Sequence, residues 1–287
     1  MEGGENALGE KRNKNCKFTI EQEKQITQEY ISGKSAQEIA DKWDYNISSI
    51  LKIVRFYGGE VRTLSEARNN YLKRELDETV FEVIDTPEKT YWIGVFYSDG
   101  FIEKTNLYTN YLGLSVKSSD IGWLKKLQNF LCSNTNIHTY VQSTGYKPGT
   151  KYSRFQVGSN KLVADLEKLG VVEHKTKKID SLPKIDFLDD FCRGYIDGDG
   201  SLCSAYPNLR VCGNKPFLEE MGEYLGVKYR IKPDRSIFDL CYNTKESTYL
   251  EKRLYKNATV YLDRKYELAK RSFNSPITLE DVMKNPE

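Results

Sequence analysis

The chain has 287 residues, 39% of them hydrophobic and 12% aromatic, which is enough for two or three compact domains with real cores. Its 43 Lys and Arg nearly balance 41 Asp and Glu, for a net charge of +2, so composition neither marks nor excludes a nucleic-acid partner; any binding face depends on where the charges are placed. No run approaches the roughly 18 apolar residues of a membrane span, and Met1 to Lys17 lacks the apolar stretch of a signal peptide.

Residues 1–16 read as disordered, being rich in Gly, Asn, Glu and Lys with no apolar period. From 17 to 58 the pattern is helical. Thr19 is a candidate cap for a helix with Ile20, Ile26 and Tyr30 on one side, and Gly33 is placed to end it. Ser35 opens a second helix burying Ile39, Ala40 and Trp43. Asp44–Asn46 forms a turn, and Asn46 or Ser48 opens a third helix with Ile50, Ile53, Val54 and Tyr57 facing in. Two short helices joined by a tight turn describe a helix-turn-helix. The stretch KSAQEIADKWDYNISSILKIVRFYG resembles the DNA-binding domains of recombinases and transposases. Ser48, Ser49 and Lys52, near the start of the third helix, are then the candidate groove contacts. Residues 59–84 read as a charged linker with a short helix over Ser65–Leu72; Arg62, Arg68, Lys73 and Arg74 suit a segment along DNA phosphates.

After the linker the chain repeats itself with a period of about 100 residues. An apolar helix ending in an acidic-glycine pair occurs at TYWIGVFYSDG (90–100) and again at FLDDFCRGYIDGDG (187–200). Each copy is followed by a hairpin, an amphipathic helix (123–131, 216–226), a Tyr-rich strand pair, and a last helix with an X-Lys pair, His174-Lys175 or Arg264-Lys265. The order α-β-β-α-β-β-α, twice, reads as a pseudo-dimer fused in one chain, with halves at 85–183 and 184–272 and a tail at 273–287. The fold class is α+β.

Gly94 and Ser98 are four apart, as are Gly194 and Gly198, so each pair shares a helix face. Small residues there let two helix backbones approach closely. Packing the two helices together brings Asp99 and Asp199 side by side, each before a glycine able to take a helix-terminating conformation. Paired carboxylates suit a hard divalent cation such as Mg²⁺, which takes few carboxylates plus water and phosphate oxygens, and helix C-termini favour cations.

WIGVFYSDG and CRGYIDGDG resemble the LAGLIDADG motif, in two copies within a duplicated α-β-β frame, and the resemblance covers residues 86–270. It implies a single-chain, monomeric homing endonuclease with a β-saddle over double-stranded DNA, cutting at a long, pseudo-asymmetric site. It further implies that Asp99 and Asp199 bind Mg²⁺ and each serve one strand, and that Lys175 and Lys265 are basic partners at the metal centre. The copies differ at one position, Tyr97 against Asp197, which in the family supports the helix and is no metal ligand.

Strand alternation assigns the faces. Leu112, Leu114, Val116, Phe155 and Val157 point inward. Tyr111, Ser115, Lys117, Tyr152, Arg154 and Gln156 point outward, opposite His138, Tyr140 and Gln142. Arg and Gln are side chains that read base edges in the major groove, and Arg210, Arg230 and Lys232 are the second-half analogues.

Two other readings stay open: a DNA-binding transcription regulator on the same fold, against which Asp99 and Asp199 argue, and an RNA splicing maturase. An intein is disfavoured, because the chain ends VMKNPE without a His-Asn pair. Cys16, Cys132, Cys192, Cys203, Cys212 and Cys241 form no C-x-x-C pair, and only His138 and His174 could join them. That argues against zinc and for free thiols in a cytoplasmic protein, bacterial, phage-encoded or organellar.

Overall fold

The computed structural model describes residues 17–63, 75–105, 109–143, 148–173 and 178–283. The chain divides into two compact units, Met1–Arg74 and Glu75–Glu287.

In the first unit, helices span Ile20–Ile31, Ala36–Trp43 and Ile47–Phe56. Thr19 and Ser35 each close a capping box, with Gln22 and Glu38 respectively, so the side chain and backbone of each cap satisfy one another. Asn46 caps the third helix by accepting from the Ser49 N–H. Gly33, at φ +110°, ends the first helix as its sequence position suggests. Asp44, at φ 47°, makes the tight turn between the second and third helices. Ile26, Ile39, Ala40, Ile50 and Val54 form the core with Phe18 and Tyr30. Ile20 differs from expectation: it is 41% exposed, because it precedes the first turn that faces the other helices. Arg62 also differs from its reading as a phosphate contact along a linker. Its guanidinium lies over the Tyr30 ring at 4.0 Å and donates to the carbonyls of Tyr30, Gly33 and Lys34 at the end of the first helix. Arg68, Lys73, Arg74 and the helix expected over Ser65–Leu72 lie outside the described residues.

In the second unit, one half comprises the first motif helix Pro87–Tyr97, β1 (Gly100–Glu103), β2 (Tyr111–Lys117), the helix Ile121–Phe130, β3 (His138–Val141), β4 (Lys151–Gly158) and the helix Asn160–Lys168. The other comprises the second motif helix Leu188–Asp199, β5 (Gly200–Leu202), β6 (Leu209–Gly213), the helix Lys215–Leu225, β7 (Arg230–Asp234), β8 (Ile237–Cys241) and the helix Thr244–Tyr255. A further helix, Asp263–Ala269, follows in the second half. The sheets run β1-β2-β4-β3 and β5-β6-β8-β7, antiparallel throughout. In both, the first strand after the motif helix pairs its opening glycine with the same rung of its neighbour, Gly100 with Leu114 and Gly200 with Val211.

The motif helices pack on each other at the centre of the core. From Thr90 to Tyr97 every residue of the first is buried, so that helix has no polar face and can only sit inside. The contact is backbone to backbone. A Cβ on Gly94 would collide with the Phe191 carbonyl oxygen and lie 2.9 Å from the Tyr195 nitrogen. A Cβ on Gly194 would collide with the Tyr91 carbonyl oxygen and lie 3.1 Å from the Val95 nitrogen.

Three expectations change. Gly100 and Gly200 do not take a left-handed conformation; Gly200, at φ −89° and ψ 160°, is already extended, and each glycine opens a strand. A side chain at either would strike the helix just left, at Phe96 or Ile196. The segment 75–84, expected as linker, contributes two residues to the core: Val80 and Phe81 are buried, and the Phe81 ring meets those of Phe96 and Phe130. The segment after 273 is not a free tail, since Val282 is fully buried and its carbonyl accepts from the Lys228 N–H at 3.1 Å.

Gly94→Leu and Gly194→Leu should each destabilise the second unit by more than the roughly 1–3 kcal/mol of ordinary overpacking, because the obstructing atoms are backbone and cannot turn aside. Thermal unfolding of each variant checks this; an unchanged Tm for both would contradict the close approach.

Candidate active site

The crossing at the two glycines delivers both helix C-termini to one place. Ser98 caps the first helix and turns its hydroxyl back to the carbonyls of Gly94 and Val95, 3.2 Å from each. Its Cβ would lie 2.6 Å from a Cβ on Gly198, and the Asp99 backbone nitrogen 3.2 Å from it, so all four small residues predicted to pack there do so. Asp99 and Asp199 flank this contact, Asp99 exposed and Asp199 half-buried. Both carboxylates act on the same two groups. They add to the burial that lifts the Tyr195 phenol above its ordinary pKa, and they stabilise the charged form of Lys265. A pocket of about 150 Å³ opens beside Asp199, among Ser98, Tyr195, Cys212 and Asn214. Among the described residues no three His, Cys, Asp or Glu side chains gather into a metal-binding cluster.

Lys265 is only 1% exposed. Its ammonium donates to the carbonyls of Ile196 at 2.5 Å, Asp197 at 2.7 Å and Gly200 at 2.6 Å, with Gly198 at 3.5 Å. These include carbonyls the helix end leaves without partners, so Lys265 is at once a helix cap and a buried cation beside Asp99 and Asp199. Burial lowers its pKa to about 8, against the pull of Asp197, Asp99 and Asp199 in the other direction. Lys175 lies outside the described residues.

Asp197 explains how the second helix is held. Fully buried, it accepts from the phenols of Tyr91 and Tyr255, each at 2.7 Å, and from the Leu262 N–H at 2.8 Å. Tyr91 in turn accepts from the Trp123 indole at 2.7 Å. Burial raises the Asp197 carboxyl pKa, while Lys265 and the three hydrogen bonds oppose the shift. Tyr97, at the matching position, instead donates to the Leu169 carbonyl at 2.7 Å, and burial pushes its phenol up to about 12. Sequence reasoning placed Asp197 as a helix support but missed its partners. It also missed Arg193, a buried arginine within an apolar helix, which donates to the carbonyls of Leu254 and Val260 and to Asp190.

The sheet faces follow the expected alternation. Leu112, Leu114, Val116, Phe155 and Val157 are buried, while Tyr152, Arg154 and Gln156 alternate with them on the other face. Tyr152 stands across from Tyr140 with their rings stacked at 6.2 Å, and across from exposed Lys117 on the other side. Tyr111 is half-buried, covering Gly158. Gln142 extends β3 through backbone bonds to Thr150 and Gly149. Arg154 stacks on Phe101 at 4.2 Å and is held by Gln156 and Glu103. In the second sheet, Arg210 pairs with Asp239 at 3.2 Å, Arg230 donates to Asn243 at 2.7 Å, and Lys232 stands opposite Asp239. By register Asp239 occupies the place of Arg154, a substitution that only the strand pairing makes visible. In the first unit Ser48 and Lys52 are exposed and Ser49 is half-buried; Ser48 donates to the Asn46 side chain at 2.8 Å.

No helix among the described residues is long and apolar enough to cross a membrane, and the described cysteines are unpaired. No family model and no curated protein matches the sequence. Solved structures do match. The homing endonuclease I-WcaI bound to its DNA recognition sequence aligns with 72% of this chain and 94% of its own, at 14% identity and a TM-score of 0.50. I-DmoI in complex with DNA and Ca aligns with 68% of this chain and 99% of its own, at 14% identity and a TM-score of 0.44. Meganuclease I-SmaMI bound to uncleaveable DNA aligns with 68% and 94%, at 11% identity and a TM-score of 0.45. With its two αββαββα halves joined through glycine-packed motif helices, this chain has the fold of the LAGLIDADG homing endonucleases.

Proposed function

We propose that the protein is a site-specific endonuclease that hydrolyses both strands of duplex DNA with Mg²⁺. The observation that carries this is the convergence of Asp99 and Asp199 at two helix ends locked together by Gly94, Gly194 and Gly198. One solved structure of the same fold is a homing endonuclease bound to its DNA recognition sequence. A regulator that only binds DNA has no use for an acidic residue at each of two joined helix ends.

The residues suit a divalent cation. Two carboxylates stand at the adjoining ends of the motif helices, and the shortage of further acidic ligands among the described residues leaves coordination positions for water and phosphate oxygens, as Mg²⁺ prefers. Mg²⁺ bound there would supply Lewis-acid stabilisation of charge on the phosphate and a more acidic water. Asp99 and Asp199 would hold the cation, one carboxylate for each strand. Lys265 fixes the end of the second helix and places a cation beside both carboxylates, where developing phosphate charge is stabilised. The outward side chains of both sheets, Tyr111, Lys117, Tyr140, Gln142, Tyr152, Arg154, Gln156, Arg210, Arg230 and Lys232, meet the duplex. The first unit, through Ser48, Ser49 and Lys52, adds a second contact. Arg62 has no part in it, being spent on the helix end it caps.

Asp99→Asn and Asp199→Asn should each abolish double-strand cleavage in Mg²⁺, leave DNA binding near wild type, and be mimicked by chelation of the wild type. Cleavage of both strands at the wild-type rate by either variant would remove these residues from the metal site. The target itself comes from cleavage of a randomised duplex library.

Removing residues 1–74 should weaken binding by about 10²-fold or more through loss of the tethered second contact. It should also shorten the footprint at one end and flatten the dependence of affinity on salt, while cleavage persists at higher enzyme concentration. An identical footprint and salt slope would assign the first unit some other partner.

A further inference from the structure

Lys265 belongs to the second half, yet the segment that leads into it is gripped by the first. Lys126, on the helix Ile121–Phe130, donates to the Tyr261 carbonyl at 2.8 Å and to Asp263 at 2.6 Å, and its ammonium sits 4.3 Å from the centre of the Tyr261 ring. Asp120, at the start of the same helix, accepts from the Arg264 guanidinium at 3.0 Å. From inside, Trp123 of that helix donates to Tyr91, Tyr91 donates to Asp197, and Asp197 takes the Leu262 N–H. Tyr261, Leu262, Asp263 and Arg264, the four residues before Lys265, are therefore each tied to the helix Ile121–Phe130, three directly and Leu262 through the buried chain.

We propose that the helix Ile121–Phe130 is the positioning element for Lys265. Lys126 and Asp120 form an outer clasp, Trp123–Tyr91–Asp197 forms a buried relay, and the chemistry that Lys265 assists depends on the opposite half of the molecule. The activity tests rest on the nuclease reading above. Among the described residues the buried relay has no counterpart in the other half: where Asp197 reaches across to Tyr91, Tyr97 ends on the Leu169 carbonyl within its own half. Solvent-facing ion pairs contribute little to stability, and Lys126 and Asp263 are 33% and 60% exposed. A purely structural role would thus leave little trace when Lys126 is replaced. A positioning role would, because a displacement of about 1 Å at a reacting centre can slow a reaction by on the order of 10²-fold.

The test uses the full chain with Lys126→Met, Lys126→Arg and Tyr91→Phe, and a target duplex labelled separately on each strand, under single-turnover conditions with Mg²⁺. Lys126→Met and Tyr91→Phe should slow one strand by about tenfold or more relative to the other and accumulate nicked duplex. Lys126→Met should leave DNA affinity and Tm at wild-type values, and Lys126→Arg should restore the rate. A second measurement needs no DNA: the nitrogen–proton NMR signal of the Lys265 ammonium, assigned by its loss in Lys265→Met. That signal should move in Lys126→Met and Tyr91→Phe and return in Lys126→Arg. Equal slowing of both strands, or an unmoved Lys265 signal, overturns the proposal. If the wild type cuts no duplex, the nuclease reading falls, and the NMR signal still decides the positioning.

Discussion

Two glycines without side chains set the geometry of the second unit. At Gly94 and Gly194 each motif helix presses its backbone against that of the other, and the atoms a Cβ would meet are carbonyl oxygens and amide nitrogens that cannot turn away. Dispersion between closely apposed backbones takes the place of interdigitated side chains. This fixes where both helices end, and each end runs directly into the first strand of a sheet, at Gly100 and at Gly200. The acidic pair and the two sheets thus share one reference point, so a shift of the helix pair would move all of them together.

Within that frame the two halves have diverged. The second motif helix carries a buried carboxylate, Asp197, and receives a buried ammonium, Lys265. Each is costly alone, because burial disfavours both charged forms, lifting the pKa of the first and lowering that of the second. Together, with two tyrosines, a backbone N–H and three close carbonyls as partners, they form a satisfied polar island inside the core. The first motif helix achieves its anchoring with the neutral Tyr97 hydroxyl. The same fold position is filled once by a charge and once by a neutral donor, and the charged version reaches into the other half through Tyr91 and Trp123.

The outward sheet faces show how charged side chains are arranged behind a net charge of +2. Several cations there come with their own acids: Arg154 with Glu103 and Arg210 with Asp239. Such partners cancel charge in the total but orient a guanidinium. The two halves do this from different strands, since Arg154 rises from β4 and Arg210 from β6.

The sequence by itself determined the duplication, the order of elements in each half, the close helix pair and the two acidic ends. Each of these rests on local rules: apolar runs too long to be exposed, small residues at i and i+4, alternation by two, and capping residues at Thr19, Ser35 and Gly33. What the tertiary structure decided lies in contacts between residues far apart in the chain. Lys265 became a buried cap because the helix Asp263–Ala269 turns the lysine's ammonium onto carbonyls of residues 196–200. Val80 and Phe81 joined the core, where the Phe81 ring meets Phe96 and Phe130. Gly100 and Gly200 serve to clear the preceding helix rather than to turn left-handed, a distinction set by what surrounds the backbone and not by residue type. Periodicity reports which face of an element is buried, but only the folded chain decides which distant side chain meets that face.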